Sequence, residues 1–149
     1  MSANTSPIYS LTPNVHGAAI TAANATSDGT GTVGSTNFPV IYTAGANGSY
    51  VSVVRWSIVA NTVTASTGTV GRLFLTTVGS GSTTPGGNIW LFAEYALASQ
   101  SADNAATSTF FIEVPFYKAL PTGMFIVAST NAAPATNTSW QVVAYGGDY

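Results

Sequence analysis

The stretch Tyr50-Val51-Ser52-Val53-Val54-Arg55-Trp56-Ser57-Ile58-Val59-Ala60 decides the fold class. It is dominated by β-branched and aromatic side chains, which suit a pleated, half-buried surface. Taken with a two-residue period, Tyr50, Ser52, Val54, Trp56 and Ile58 share one face, and Val51, Val53, Arg55, Ser57 and Val59 share the other. Immediately before it stands Ala44-Gly45-Ala46-Asn47-Gly48-Ser49. Asn-Gly between two apolar runs is a strong hairpin signal, because both residues tolerate positive φ. The stretch therefore predicts a hairpin closed by a loop of about four to six residues, with Phe38–Thr43 as the partner strand. Pro39 places that partner at a sheet edge.

The same chemistry repeats outward along the chain. Val15–Ala22, Thr69–Thr77, Ile89–Leu97, Thr109–Phe116, Gly123–Thr130 and Ser139–Tyr145 read as further strands. Between them lie the turn-rich segments Asn24–Thr36, Gly79–Asn88, Ser99–Ser108 and Asn131–Asn137, and the turn Pro121-Thr122-Gly123. Tyr117-Lys118-Ala119-Leu120 reads as one helical turn. About eight strands at this spacing predict an all-β, antiparallel, jelly-roll-like sandwich. Met1–Asn14 is polar, carries Pro7 and Pro13, and reads as an extended N-terminal arm. Residues 15–149 then form a single sandwich domain. Ile89-Trp90-Leu91-Phe92 and Thr109-Phe110-Phe111-Ile112 are apolar on both faces, so an outer sheet face is covered, by a loop, by barrel-like closure or by another subunit.

Charge is the anomaly. Charged residues make up 5% of the 149 residues, against about 25% in ordinary soluble domains. The apolar fraction of 46% is enough for a core. Thr, Ser, Asn, Gly and Ala must make the surface, and a net charge of −2 gives little self-repulsion. Such a surface suits a protein that works assembled. The cations are Arg55, Arg72 and Lys118, which make no basic stripe for nucleic acid. No apolar run reaches the ~20 residues of a membrane helix, and Met1–Pro7 lacks the basic and apolar regions of a signal peptide. The expected location is a virion, assembled from chains made in the host cytoplasm.

The chemical inventory is short. With Cys 0 and one histidine, His16, a hydrolase triad would need His16 between a serine and an acid such as Asp28 or Asp103. No Gly-x-Ser-x-Gly elbow is present. An edge or core role suits His16 better. No ligand spacing for a metal and no phosphate loop occur, so no cofactor, no metal site and no enzymatic activity are expected. Glu94 and Glu113 are the carboxylate pair to weigh for glycoside chemistry. Both lie in mid-strand, as do Arg55 and Arg72. These four residues are read as structural cross-strand ion pairs, since an adjacent arginine holds a carboxylate ionised. Trp56, Trp90, Trp140 and Tyr145, with Tyr42 and Tyr95, are either core or interface residues or a glycan-binding face.

Several segments carry a resemblance. They are the start Ser2-Ala-Asn-Thr-Ser-Pro-Ile-Tyr-Ser-Leu-Thr-Pro-Asn14, Gly71-Arg72-Leu73-Phe74-Leu75, Leu91-Phe92-Ala93-Glu94, and Val142-Val143-Ala144-Tyr145-Gly146-Gly147-Asp148-Tyr149. In this order they resemble small structural proteins of tailed bacteriophage virions. The resemblance implies a capsid decoration, or cement, protein that binds the major capsid protein and copies of itself, with a trimer favoured. It also implies an arm laid on the capsid through Pro7, Ile8, Tyr9, Leu11 and Pro13. A head- or tail-fibre domain binding receptor glycans and a small jelly-roll capsid protein are the alternatives.

Overall fold

A computed structural model describes residues 12–60, 64–102 and 111–149. Its strands are β1 (Thr12–Ile20), β2 (Thr32–Val33), β3 (Val40–Thr43), β4 (Ser49–Ala60), β5 (Thr64–Ser66), β6 (Thr69–Thr76), β7 (Gly81–Ser82), β8 (Ile89–Leu97), β9 (Gln100–Ala102), β10 (Phe111–Leu120), β11 (Phe125–Thr130) and β12 (Thr138–Asp148). One four-stranded sheet has the order β1-β12-β4-β10 and the other β3-β11-β6-β8. All pairings within them are antiparallel. Counting only these eight strands in chain order, the sheets read first–eighth–third–sixth and second–seventh–fourth–fifth. That interleaving is the jelly roll.

The two sheets enclose the main core. Trp56 on β4 and Trp140 on β12 are fully buried against Ile20, Tyr42, Leu73, Leu97 and Ile126. Burying each such side chain is worth several kcal/mol, on the order of 25 cal/mol per Å² of apolar surface. The Phe92 and Phe116 rings, with centroids 4.3 Å apart, join the two edge strands β8 and β10 on one side.

A second, smaller core lies on the outer face of the β3-β11-β6-β8 sheet. Phe74, Val127 and Ile89 project outward from it and are buried under Val33 and Phe38. Phe38 meets Phe74 edge-on, with centroids 5.3 Å apart. The cover is the segment from residue 21 to 38 together with residues 77–88, pinned where β2 pairs with β7. Thr83 is part of that pin, its hydroxyl oxygen accepting from the Gly31 N–H at 2.9 Å. The chain's own loops thus cover Ile89, Phe74 and Val127 on this sheet, while Trp90 and Leu91 on edge strand β8 stay exposed.

Four expectations change. First, Ala44–Ser49 does not close a hairpin. β3 pairs with β11, while β4 pairs with β12 and β10, so these residues carry the chain from one sheet to the other. The turn chemistry is real, with Gly48 at φ 92° and its N–H donating to the Gly45 carbonyl at 3.0 Å. The flanking strands diverge because Ala44 N–H bonds to Met124 in one layer, while Ser49 pairs with Asp148 and Leu120 in the other.

Second, the faces of β4 swap partway. Val54, Trp56 and Ile58 are buried as expected, but Tyr50 is exposed and Val51 buried. Opposite Tyr145 and Gly146 of β12 stand Val53 and Val51, so Ser52 is an inserted residue. One extra residue inverts the side-chain phase. Third, residues 117–120 are strand, not a helical turn. They complete β10, where the register skips from Pro115 to Lys118 and Tyr117 takes φ 47°. Fourth, Thr12, Pro13 and Asn14 belong to β1, paired with Asp148, Gly147 and Gly146. The arm boundary therefore moves toward the N-terminus, and Pro13 sits on an edge strand, where proline is tolerated. Pro7, Ile8, Tyr9 and Leu11 lie outside the described residues.

Candidate functional site

Both strand-centre arginines stand directly opposite a glutamate, Arg72 against Glu94 on β6 and β8 and Arg55 against Glu113 on β4 and β10. The two pairs differ. Arg72 Nε donates to Glu94 Oε1 at 2.6 Å, and Arg72 Nη1 donates to the Ala25 carbonyl at 3.3 Å. Arg72 is buried beneath the covering loop, whereas the Glu94 side chain is 43% exposed. The Arg55 guanidinium instead lies 4.0 Å over the Phe111 ring, a cation–π contact on an exposed sheet face.

His16 lies exposed on edge strand β1, its ring 5.5 Å from that of Tyr42. Asp28 accepts from the Thr30 N–H at 2.9 Å, which holds its carboxyl below the usual range and fits a turn role. Asp103 lies outside the described residues. Asp148 is the more connected acid. It accepts from the Ser49 hydroxyl, from Asn14 Nδ2 at 2.8 Å and from the Tyr42 hydroxyl at 3.3 Å. The Ser49 hydroxyl first, then Asn14, pull its carboxyl below the ordinary carboxylate range. This knot joins β1, β3, β4 and β12 at one end of the sandwich. Ser49 donates to a carboxylate and accepts from the Gly45 N–H at 2.9 Å, a structural arrangement rather than that of an activated nucleophile. Nothing local in the sequence reveals the knot, since the Ser49 and Asn14 donors lie 99 and 134 residues away from Asp148.

A cavity of about 610 Å³ opens at the end of the sandwich, lined by Thr21, Val59, Ala60, residues 134–139 and Gln141. Its lining has no ionisable side chain and no aromatic ring. Among the described residues no three His, Asp or Glu side chains come together.

Trp56 and Trp140 are fully buried, so neither can offer a ring to a glycan or a partner. Trp90 can, at 43% exposed, and the equally exposed Leu91 points to the opposite side of the same edge strand. Tyr145 is half-buried on the outer face of the β1-β12-β4-β10 sheet. That face is open to solvent at Val15, Val59 and Phe111. Trp140, Val142 and Ala144 point into the core, so Ser139, Gln141, Val143 and Tyr145 point out. Val15, Val53, Val59, Phe111 and Pro115 join them on neighbouring strands.

Comparison with protein-family models, curated proteins and solved structures finds no match. The functional reading therefore rests on surface chemistry. The described residues offer a broad neutral sheet face, an apolar edge at Trp90 and Leu91, and one arginine–glutamate ion pair, Arg72–Glu94, whereas Arg55 stands opposite Glu113 without an ion pair and stacks on Phe111.

Proposed function

We propose that this protein is a structural component of a tailed-bacteriophage virion, a decoration protein that binds the major capsid protein on the head and stabilises the shell. The observation that carries this reading is the open outer face of the β1-β12-β4-β10 sheet, neutral because Arg55 stands opposite Glu113, which marks a chain that works assembled. A monomeric soluble domain rarely leaves such a face uncovered. The low charge of the chain fits a surface that is covered in use, and the sequence resemblance points the same way. Adhesion comes from many neutral contacts, with the edge at Trp90 and Leu91 and the arm ahead of β1 as the surfaces turned to the capsid. Buried aromatic anchors dominate such interfaces.

The test is stoichiometry. Quantitative mass spectrometry of purified particles should find hundreds of copies, fractionating with heads rather than tails. A few copies fractionating with tails would reject the proposal.

The strand order favours one second reading, a small capsid protein that builds a shell itself, because jelly rolls recur in viral capsids. Closed particles formed by the purified chain alone would select it over decoration.

A further inference from the structure

We infer that the outer face of the β1-β12-β4-β10 sheet is the seat of a second copy of this chain, packed sheet against sheet across a two-fold axis. This inference goes beyond the virion reading and does not depend on it.

The face is apolar where it is most open. Val15 is 58% exposed, Phe111 49% and Val59 46%, with Val53, Val143 and Tyr145 half-buried between them. The matching face of the other sheet is closed by residues 21–38 and 77–88, whereas among the described residues this one is flanked only at its Val59, Ser139 and Gln141 end, by residues 134–138. Its charges are Arg55 and Glu113, which stand opposite each other and cancel. With a net charge of −2 on the whole chain, two copies meet little repulsion.

Area and symmetry support the same occupant. Four strands about 4.8 Å apart, each offering about eight residues at about 3.4 Å, make a face of about 500 Å². Two copies then cover at least about 1,000 Å², the size at which specific association begins. A ring would need a second, complementary sheet face on each copy. The other sheet has none open, so sheet-on-sheet packing pairs the one open face with itself. An isologous pair does this, in contrast to the trimer that the resemblance implies. Sheets facing each other in this way pack about 10 Å apart.

The test is the solution mass of the full chain, measured by light scattering and sedimentation over a concentration series. The wild type should be a dimer that dissociates on dilution. Val143→Asp, at the centre of the face, should weaken it at least ten-fold. Val15→Asp should do the same, and because Val15 is already exposed, its fold should survive with an unchanged circular dichroism spectrum. Ser80→Asp, in the loop over the opposite sheet, should leave the dimer intact. A trimer, or folded Val15→Asp and Val143→Asp variants that dimerise like the wild type, would overturn the inference. So would a wild-type monomer. If removal of residues 1–11 then produced dimers, the chain's own arm would be the occupant; if it did not, the face would belong to a foreign partner.

Discussion

The Arg72–Glu94 pair predicts an asymmetry between its two halves. Arg72 is 7% exposed, while the Glu94 side chain is 43% exposed. Glu94→Leu strands a guanidinium beneath the loop with only the Ala25 carbonyl as partner. Breaking a fully buried pair in this way costs about 3–5 kcal/mol. The solvated end of this pair reduces that to about 2–3 kcal/mol. Arg72→Leu releases the half-exposed Glu94 to water, at about 1 kcal/mol. The double variant replaces both charges by apolar packing and should also lie within about 1 kcal/mol of the wild type. The coupling between the two sites is then at least about 2 kcal/mol. Urea unfolding of the four proteins at neutral pH measures it directly. In a thermal melt, Glu94→Leu should lose about 5–10 °C. Equal costs for the two single variants, a greater cost for Arg72→Leu, or strict additivity would refute the reasoning.

Other sites give further expectations. Because the Asp148 carboxyl sits below its ordinary value when folded, its contribution is present above the unfolded value near 3.8 and is lost as pH falls through the lower folded value. Asp148→Asn should therefore lower the melting temperature at neutral pH and flatten the acid side of the melting profile relative to wild type. The Ser129 hydroxyl is buried with no hydrogen-bond partner among the described residues, so Ser129→Ala should fall within about 0.5 kcal/mol of wild type or be stabilising in denaturant titrations. Gly146 lies opposite the β4 bulge, where an added Cβ would strike the Tyr50 carbonyl oxygen and meet the Tyr42 hydroxyl at 2.9 Å. Gly146→Ala should cost about 1–3 kcal/mol in unfolding free energy, seen as an earlier chemical unfolding midpoint.

The strand inventory was legible because β-branched and aromatic runs alternate with turn residues along the chain. The eight strands expected from 15–22 through 139–145 correspond to β1, β3, β4, β6, β8, β10, β11 and β12. The small strands β2 and β7 sit inside segments rich in Gly, Ser and Thr, where their pairing comes from tertiary packing over Phe74. The sheet-to-sheet step after Thr43 was hidden for a related reason, since an Asn-Gly turn sets local backbone geometry but not which strand pairs with which. A single inserted residue at Ser52 was equally invisible, and it inverts the exposure of Tyr50 and Val51. Of the candidate site, the arginine–glutamate positions could be read from mid-strand charges. Which aromatics are open could not, because Trp56 and Trp90 both lie in apolar strands and only the topology separates a central strand from an edge strand.

The central claim is placement on the virion head, and a cryo-EM map of the parent particle tests it most directly. The account predicts this jelly roll in many symmetry-related copies on the outer surface of the capsid, touching the major capsid protein. Density for this chain at the tail tip, or its absence from the head, would contradict it.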